Sequence, residues 1–275
     1  MEKGIQAGFK GKKENFQNSL RKEHLDDLFQ KRRERAVNKN WPVAPQSASL
    51  QQSIQDLLTA LKNGKPPGDE VNNLAFSIKD YMQNDGGSYV GVFNAVTYEN
   101  ILQKLITYYE REPVENFLPM SNLIMRLGIS DVENIIEKYF AMGVVDLVWK
   151  KLFEVKPGQK LDVTSFIFDA LGNFYSENAV EINKLLDSDR LNQVSALIES
   201  LQDDIELVAA SMHFYSSLST INNMEVRVFI GANLIKVFMN CLVKSRDHEE
   251  TLLDGISIFS LLTDSRHDND EEPIA

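Results

Sequence analysis

From residue 50 onward the chain repeats one arrangement: apolar residues return every three or four positions, and polar residues fill the gaps between them. That spacing puts the apolar side chains on one face of a helix. It predicts helices over Ser49–Lys62, Glu70–Gln83 and Thr97–Arg111, and the pattern continues to about Thr263. After Pro119, proline occurs only at Pro157, which predicts a turn, and at Pro273. No alternating run bounded by hairpin turns stands out, so the fold class expected is all-α. Residues 1–40 read differently. Phe16, Leu20, Leu28 and Phe29 are too few for a core and sit among charges, which predicts a flexible helical arm. WPVAPQSAS, residues 41–49, reads as a linker; residues 50–264 form the body, and the acidic residues 265–275 are expected to be a disordered tail.

The body also repeats over a longer interval. Gly143 and Gly231 each precede an apolar helix, in FAMGVVDLV and VFIGANLIKV, and lie 88 residues apart, twice 44. A step of 44 joins Leu127, Leu171, Tyr215 and Phe259, each followed by a small residue: Gly128, Gly172, Ser216 and Ser260. IMRLGIS, FDALGNF, HFYSSLS and SIFSLLT align on that step without gaps. The interval falls in the range of armadillo and HEAT repeats, whose two- or three-helix units bury their apolar faces only by stacking on one another. About four repeats are expected, in an armadillo-type right-handed superhelical solenoid.

Composition and charge narrow what such a body can meet. With 275 residues and 43% apolar content, the chain can bury a sizeable core. Its single cysteine, Cys241, cannot form an internal disulfide, which fits a reducing compartment. The first residues hold no apolar stretch that could serve as a secretory signal, so no export is expected. Val228–Val243 is apolar but carries Asn233, Lys236 and Asn240, and reads as a buried helix rather than a membrane span. Net charge is −11. Residues 1–40 hold eleven Lys and Arg against six Asp and Glu, a balance of +5, which leaves −16 for the rest. A body of that charge repels phosphate, so neither nucleic acid nor a membrane is expected as a partner; the basic arm suits an acidic protein.

The arm has a particular pattern: LRKEHLDDLFQKRR, residues 20–33, is Leu-Arg-Lys, three residues, Asp-Asp, three residues, Lys-Arg-Arg. It resembles the importin-beta-binding segment of the importin alpha family, the adaptors that carry basic nuclear localisation signals. The family's upstream basic cluster is answered by Lys10, Lys12 and Lys13. The resemblance implies that Lys12, Lys13, Leu20, Arg21, Lys22, Asp26, Asp27, Lys31, Arg32 and Arg33 contact importin beta, and that the protein works in the cytoplasm and nucleus. On helical spacing Lys22 and Asp26 can pair for roughly 0.2–0.5 kcal/mol, too little to hold an isolated helix, so a partner must supply the order.

Two departures from the family stand out. Its repeats carry Trp-x-x-x-Asn, in which the indole packs a Lys or Arg stem and the amide holds the peptide backbone. The aligned Trp positions here are Met125, Asp169, His213 and Ser257, and the Asn positions are Ile129, Asn173, Ser217 and Leu261. Asn173 alone matches. The signal-peptide groove, with Asp169, Asn173, His213 and Ser217 as its candidate residues, is therefore eroded, and binding of basic localisation signals to it is an open possibility only. Asp169, Asp187, Asp203 and Asp204 could still attract a basic peptide at long range. The second departure is number, since the family normally has about ten repeats. In the family the final basic cluster also folds back into the groove; here Glu34 follows the matching Lys31, Arg32 and Arg33, which disfavours that contact.

Other chemistry is not indicated. His24, His213, His248 and His267 are scattered and lie in no metal-ligand spacing; Cys241 reads as a packed residue; NDGGSYVG, residues 84–91, does not fit a phosphate loop. Trp149 reads as core and Trp41 as a linker anchor. No nucleophile, base, cofactor or metal can be nominated, so an enzyme is not expected. Three readings stay open: an importin alpha-like adaptor, a cargo or competitor that binds importin beta without recognising signals, and an armadillo scaffold outside transport.

Overall fold

The computed structural model describes residues 49–84, 87–130, 134–176, 178–218 and 224–262. By its contacts the chain divides into Met1–Trp41 and Pro42–Ala275, and only the second unit contains described residues. The arm, all of its candidate importin-beta contacts from Lys12 to Arg33, the linker up to Ala48 and the acidic tail lie outside them.

Helices are the regular elements of the described residues, which include no strand. The helices are α1 (Leu50–Lys62), α2 (Gly68–Asn84), α3 (Tyr89–Thr97), α4 (Ile101–Tyr109), α5 (Leu118–Leu127), α6 (Ile135–Ala141) and α7 (Val144–Glu154). There follow α8 (Asp162–Tyr175), α9 (Ala179–Leu186), α10 (Arg190–Ser200), α11 (Ile205–Leu218), α12 (Met224–Phe229), α13 (Ile235–Lys244) and α14 (Glu249–Leu262). Local chemistry sets several of their ends. Ser49 caps α1 by accepting the Gln52 N–H at 3.2 Å, Ser88 caps α3 through Gly91, and Asn178 caps α9 through Glu181. The helix expected over Thr97–Arg111 is instead broken: Glu99 and Asn100 adopt positive φ (46° and 57°), ending α3 and starting α4.

The longer helices form a row. Each of α2, α5, α8, α11 and α14 packs on the next, with α1 against α2 at one end of the order and α14 at the other. Shorter helices lie between consecutive row members in the sequence, in the pairs α3–α4, α6–α7, α9–α10 and α12–α13. From α5 to α14 the row helices begin at Leu118, Asp162, Ile205 and Glu249, close to the 44-residue step of the sequence. Polar contacts reach across the same interval, as in Gln159 to Glu115, Arg190 to Asp146 and Lys160 to Asp204.

The small residues on that step have a packing role. A Cβ on Gly128 would lie 2.7 Å from the buried Phe174 ring, and one on Gly172 would lie 2.8 Å from His213. The row helices therefore approach each other through glycine. Gly143 begins α7 with φ +82°, as its place in the sequence suggests, whereas Gly231 lies inside a π-helical turn, Ile230–Leu234, that joins α12 to α13. Val226–Lys244 is thus nearly continuous, and by length and composition it is long and apolar enough to cross a membrane. Here it packs against α10, α11 and α14, with 39% of its most apolar stretch buried.

An aromatic chain runs through the core. Tyr139, Phe174, Phe140, Tyr175, Trp149, Phe214, Tyr215 and Phe238 meet in sequence at centroid distances of 5.1–6.0 Å apart from Trp149–Tyr175, at 6.3 Å, mostly edge to face. Trp149 belongs to this core, and Cys241 is buried, its thiol pushed up by that burial.

Candidate functional site

The residues aligned with the peptide groove all lie on the row helices or directly after them. Asp169 and Asn173 are on α8, His213 and Ser217 on α11, Met125 near the end of α5 with Ile129 just past it, and Ser257 and Leu261 on α14. Asp169 and Asn173 lie a turn apart on α8, and His213 and Ser217 a turn apart on α11, which packs on α8 with Gly172 letting His213 close in; Asn173 faces the other neighbour, α5. Asp169, His213 and Ser257, one step apart, are half-buried. The Asn line is more enclosed, since Ile129, Asn173 and Ser217 are 6%, 7% and 0% exposed.

Enclosure has a cause in hydrogen bonding. Asn173 Nδ2 donates to the Met125 carbonyl at 3.1 Å. That carbonyl belongs to the last turn of α5, where helix ends leave acceptors unmatched. Its expected donor, the Ile129 N–H, goes to the Arg126 carbonyl instead, at 3.4 Å. Asn173 thus caps a neighbouring helix, 48 residues away in sequence, with the amide that the resemblance assigns to a peptide. Ser217 turns inward as well, donating to the His213 carbonyl at 3.0 Å.

Sequence alignment missed a polar group in the same row. On α5, Arg126 is buried, its Nε donates to Asn122 Oδ1 at 3.2 Å, and its guanidinium lies 5.7 Å from the Phe76 ring centroid. Asn122 in turn reaches Asn72 on α2, at 3.4 Å. Burial lowers Arg126 to about 10 while the charge of Asp80 works the other way, so it stays cationic at neutral pH. Asn72 and Asn122 are 50 residues apart, so a 44-residue step could not pair them. A cation held there opposes the approach of a Lys or Arg side chain.

The remaining acidic candidates are spread over other elements. Asp203 is held low by Lys244, with which it pairs at 3.0 Å; Asp204 caps α11 through the Leu207 N–H; Asp187 ends α9. None of them joins Asp169. Among the described residues no group of three or more His, Cys, Asp or Glu gathers as a metal site.

A second feature lies away from the row helices' eroded positions. A cleft of about 650 Å³ opens between α6–α7 and α9, with Phe140, Val145 and Leu185 in its wall and Glu137, Glu181 and Lys184 around it. Tyr175, Asp146 and Arg190 also line it: Tyr175 Oη accepts from Trp149 Nε1 at 3.0 Å, and Arg190 lies 5.5 Å over the Trp149 ring while donating to Asp146 at 2.9 Å. Burial pushes Tyr175 up to about 12. The volume suits a side chain or small ligand.

No family model, curated protein or solved structure matches the chain.

Proposed function

We propose that this chain is an importin alpha-like transport adaptor: the basic arm, residues 1–40, docks on importin beta, and the helical body, an armadillo-type right-handed superhelix, carries a cargo or regulator between cytoplasm and nucleus. One observation carries the reading: the pattern LRKEHLDDLFQKRR stands ahead of helices that recur on a 44-residue step and pack in a row. Each half occurs widely alone; together they match the organisation of that family. The physics is a coupled ordering, in which carboxylates of an acidic receptor neutralise Arg21, Lys22, Arg32 and Arg33 while Phe16, Leu20 and Leu28 fill apolar pockets. A peptide of residues 1–40 is expected to retain importin beta on a column, and reversing charge at those four cations is expected to abolish the retention. Equal retention by the reversed peptide sinks the proposal.

A second reading is favoured by the groove itself. Asn173 spends its amide on Met125, the other Asn positions offer no amide, and Arg126 adds a buried cation. These features support a cargo or competitor that rides on importin beta without reading signals. Titrating a basic signal peptide against the full chain with the charge-reversed arm separates the two. Micromolar or tighter binding supports the adaptor, and absence of binding supports the rider.

A further inference from the structure

The cleft between α6–α7 and α9 is lined by two carboxylates that hold the same place in successive units: Glu137 on α6 and Glu181 on α9, 44 residues apart. Asp146 on α7 is a third, but Arg190 occupies it. Glu181 has the i, i+3 partner Lys184, at 2.7 Å; that lysine side chain is 67% exposed, and a pair so open to water holds weakly. Glu137 is exposed, and among the described residues no ion pair or hydrogen bond engages it. Three carboxylates against Lys184 and Arg190 leave the cleft negative, within a body that is itself acidic. Polar donors accompany the acids. Tyr175, 3% exposed, lines the cleft; its oxygen accepts from Trp149, and its own O–H has no acceptor among the described residues. A buried donor left unmatched is costly, and the cleft is where an acceptor can reach it. Asn178 gives its Oδ1 to the Glu181 N–H at 3.2 Å and keeps its Nδ2 protons for another acceptor. Phe140, Val145 and Leu185 supply apolar wall beside these groups.

We propose that this cleft binds a short basic segment of a partner protein: a Lys or Arg stem lies on the apolar wall, its cation reaches Glu137 and Glu181, and backbone carbonyls of the segment accept from Tyr175 and Asn178. Each part of the lining then meets its complement. The aliphatic stem covers apolar surface while the charged head stays with the carboxylates. An anionic ligand is opposed by three carboxylates, and a wholly apolar one would take Glu137 and Glu181 out of water with no partner. The volume, about 650 Å³, is that of a pocket for a segment rather than for one amine. The site uses no residue of the arm or the groove. Only the choice of a separate partner over the chain's own basic residues 1–40 rests on the transport reading, in which importin beta holds the arm.

Fluorescence anisotropy of a labelled peptide, Ala-Leu-Lys-Arg-Leu-Ala, titrated with the full chain from about 1 to about 300 µM, tests it. Saturable binding is expected, with amide exchange slowed in α6 and α9, and the peptide with Gln in place of Lys and Arg is expected not to bind. Glu137→Lys, at an exposed position that leaves helical circular dichroism unchanged, weakens binding by about tenfold or more. Tyr175→Phe keeps the ring, loses the O–H and weakens binding by about threefold or more. Glu206→Lys, the same charge change on α11, and Asp169→Asn, in the eroded groove, leave the affinity as it was. Reversing Arg21, Lys22, Arg32 and Arg33 also leaves it unchanged; a rise of about tenfold instead gives the cleft to the chain's own arm and overturns the choice of a partner. No binding up to the highest concentration, binding that Glu137→Lys does not weaken, or binding lost with Asp169→Asn overturns the site, whether or not importin beta retains the arm.

Discussion

Asn173 decides whether the row's one surviving amide serves the fold or a peptide. Replacing it with Ala removes the donor to the Met125 carbonyl, a bond worth about 0.5–1.5 kcal/mol net. It also strands that carbonyl, because Ile129 gives its N–H to Arg126, and Met125 is fully buried. An unmatched buried acceptor costs about 1–3 kcal/mol. Water is poorly placed to replace the amide, since a Cβ added at Gly128 would sit only 3.0 Å from the Asn173 Cβ. The lost bond and the stranded acceptor are one loss and do not add, so the total expected is about 1–3 kcal/mol. At a urea m-value of about 3 kcal/mol/M, the unfolding midpoint falls by roughly 0.3–1 M. Asn173→Asp is expected to lose at least as much at neutral pH, because a carboxylate has no donor for the carbonyl. The assay is equilibrium urea unfolding followed by helical circular dichroism. A midpoint for Asn173→Ala within about 0.2 M of the parent, together with weakened binding of a basic peptide, refutes the reasoning and returns the amide to the groove.

Other outcomes follow from the packing. Gly128→Ala forces a methyl against the Phe174 ring, which is itself buried and cannot swing away, and is expected to cost about 1–3 kcal/mol in urea unfolding. Phe214→Ala removes the ring that joins Trp149, Phe168 and Tyr215, with an expected loss of about 3–5 kcal/mol by the same measurement. Tyr109, Tyr139, Tyr175 and Tyr215 are all raised by burial, Tyr175 to about 12. Each raised phenol leaves stability intact below the ordinary value near 10 and removes it as pH rises toward the folded value, because the unfolded chain ionises first. The part of the tyrosinate absorbance that belongs to these four of the chain's eight tyrosines should therefore appear together with the loss of helical circular dichroism above about pH 10; ionisation of all eight while the helices stay intact contradicts the assignment.

Much of the fold is legible from residue order. Ser49–Lys62 and Glu70–Gln83 match α1 and α2 to within two residues, because their apolar positions keep one helical face and a cap marks the start of α1. Thr97–Arg111 does not match, since the apolar periodicity runs straight through the left-handed turn at Glu99 and Asn100. The 44-residue step is visible because the small residues that let neighbouring helices approach must recur wherever the approach recurs. The polar link from Asn72 to Arg126 is not, because its partners are offset by the longer segment ahead of α5.

Residue order alone determines the helical class, the repeating interval, the acidic body and the basic arm pattern, all of which are properties of spacing and composition along one chain. Only the tertiary structure decided that Asn173 caps a helix 48 residues away, that Arg126 lies buried beside Phe76, and that Glu137, Tyr175 and Asn178 line one cleft. Those are facts about which surfaces meet: a side chain's role is set by the group that packing brings within about 3 Å of it, and the linear pattern cannot name that group.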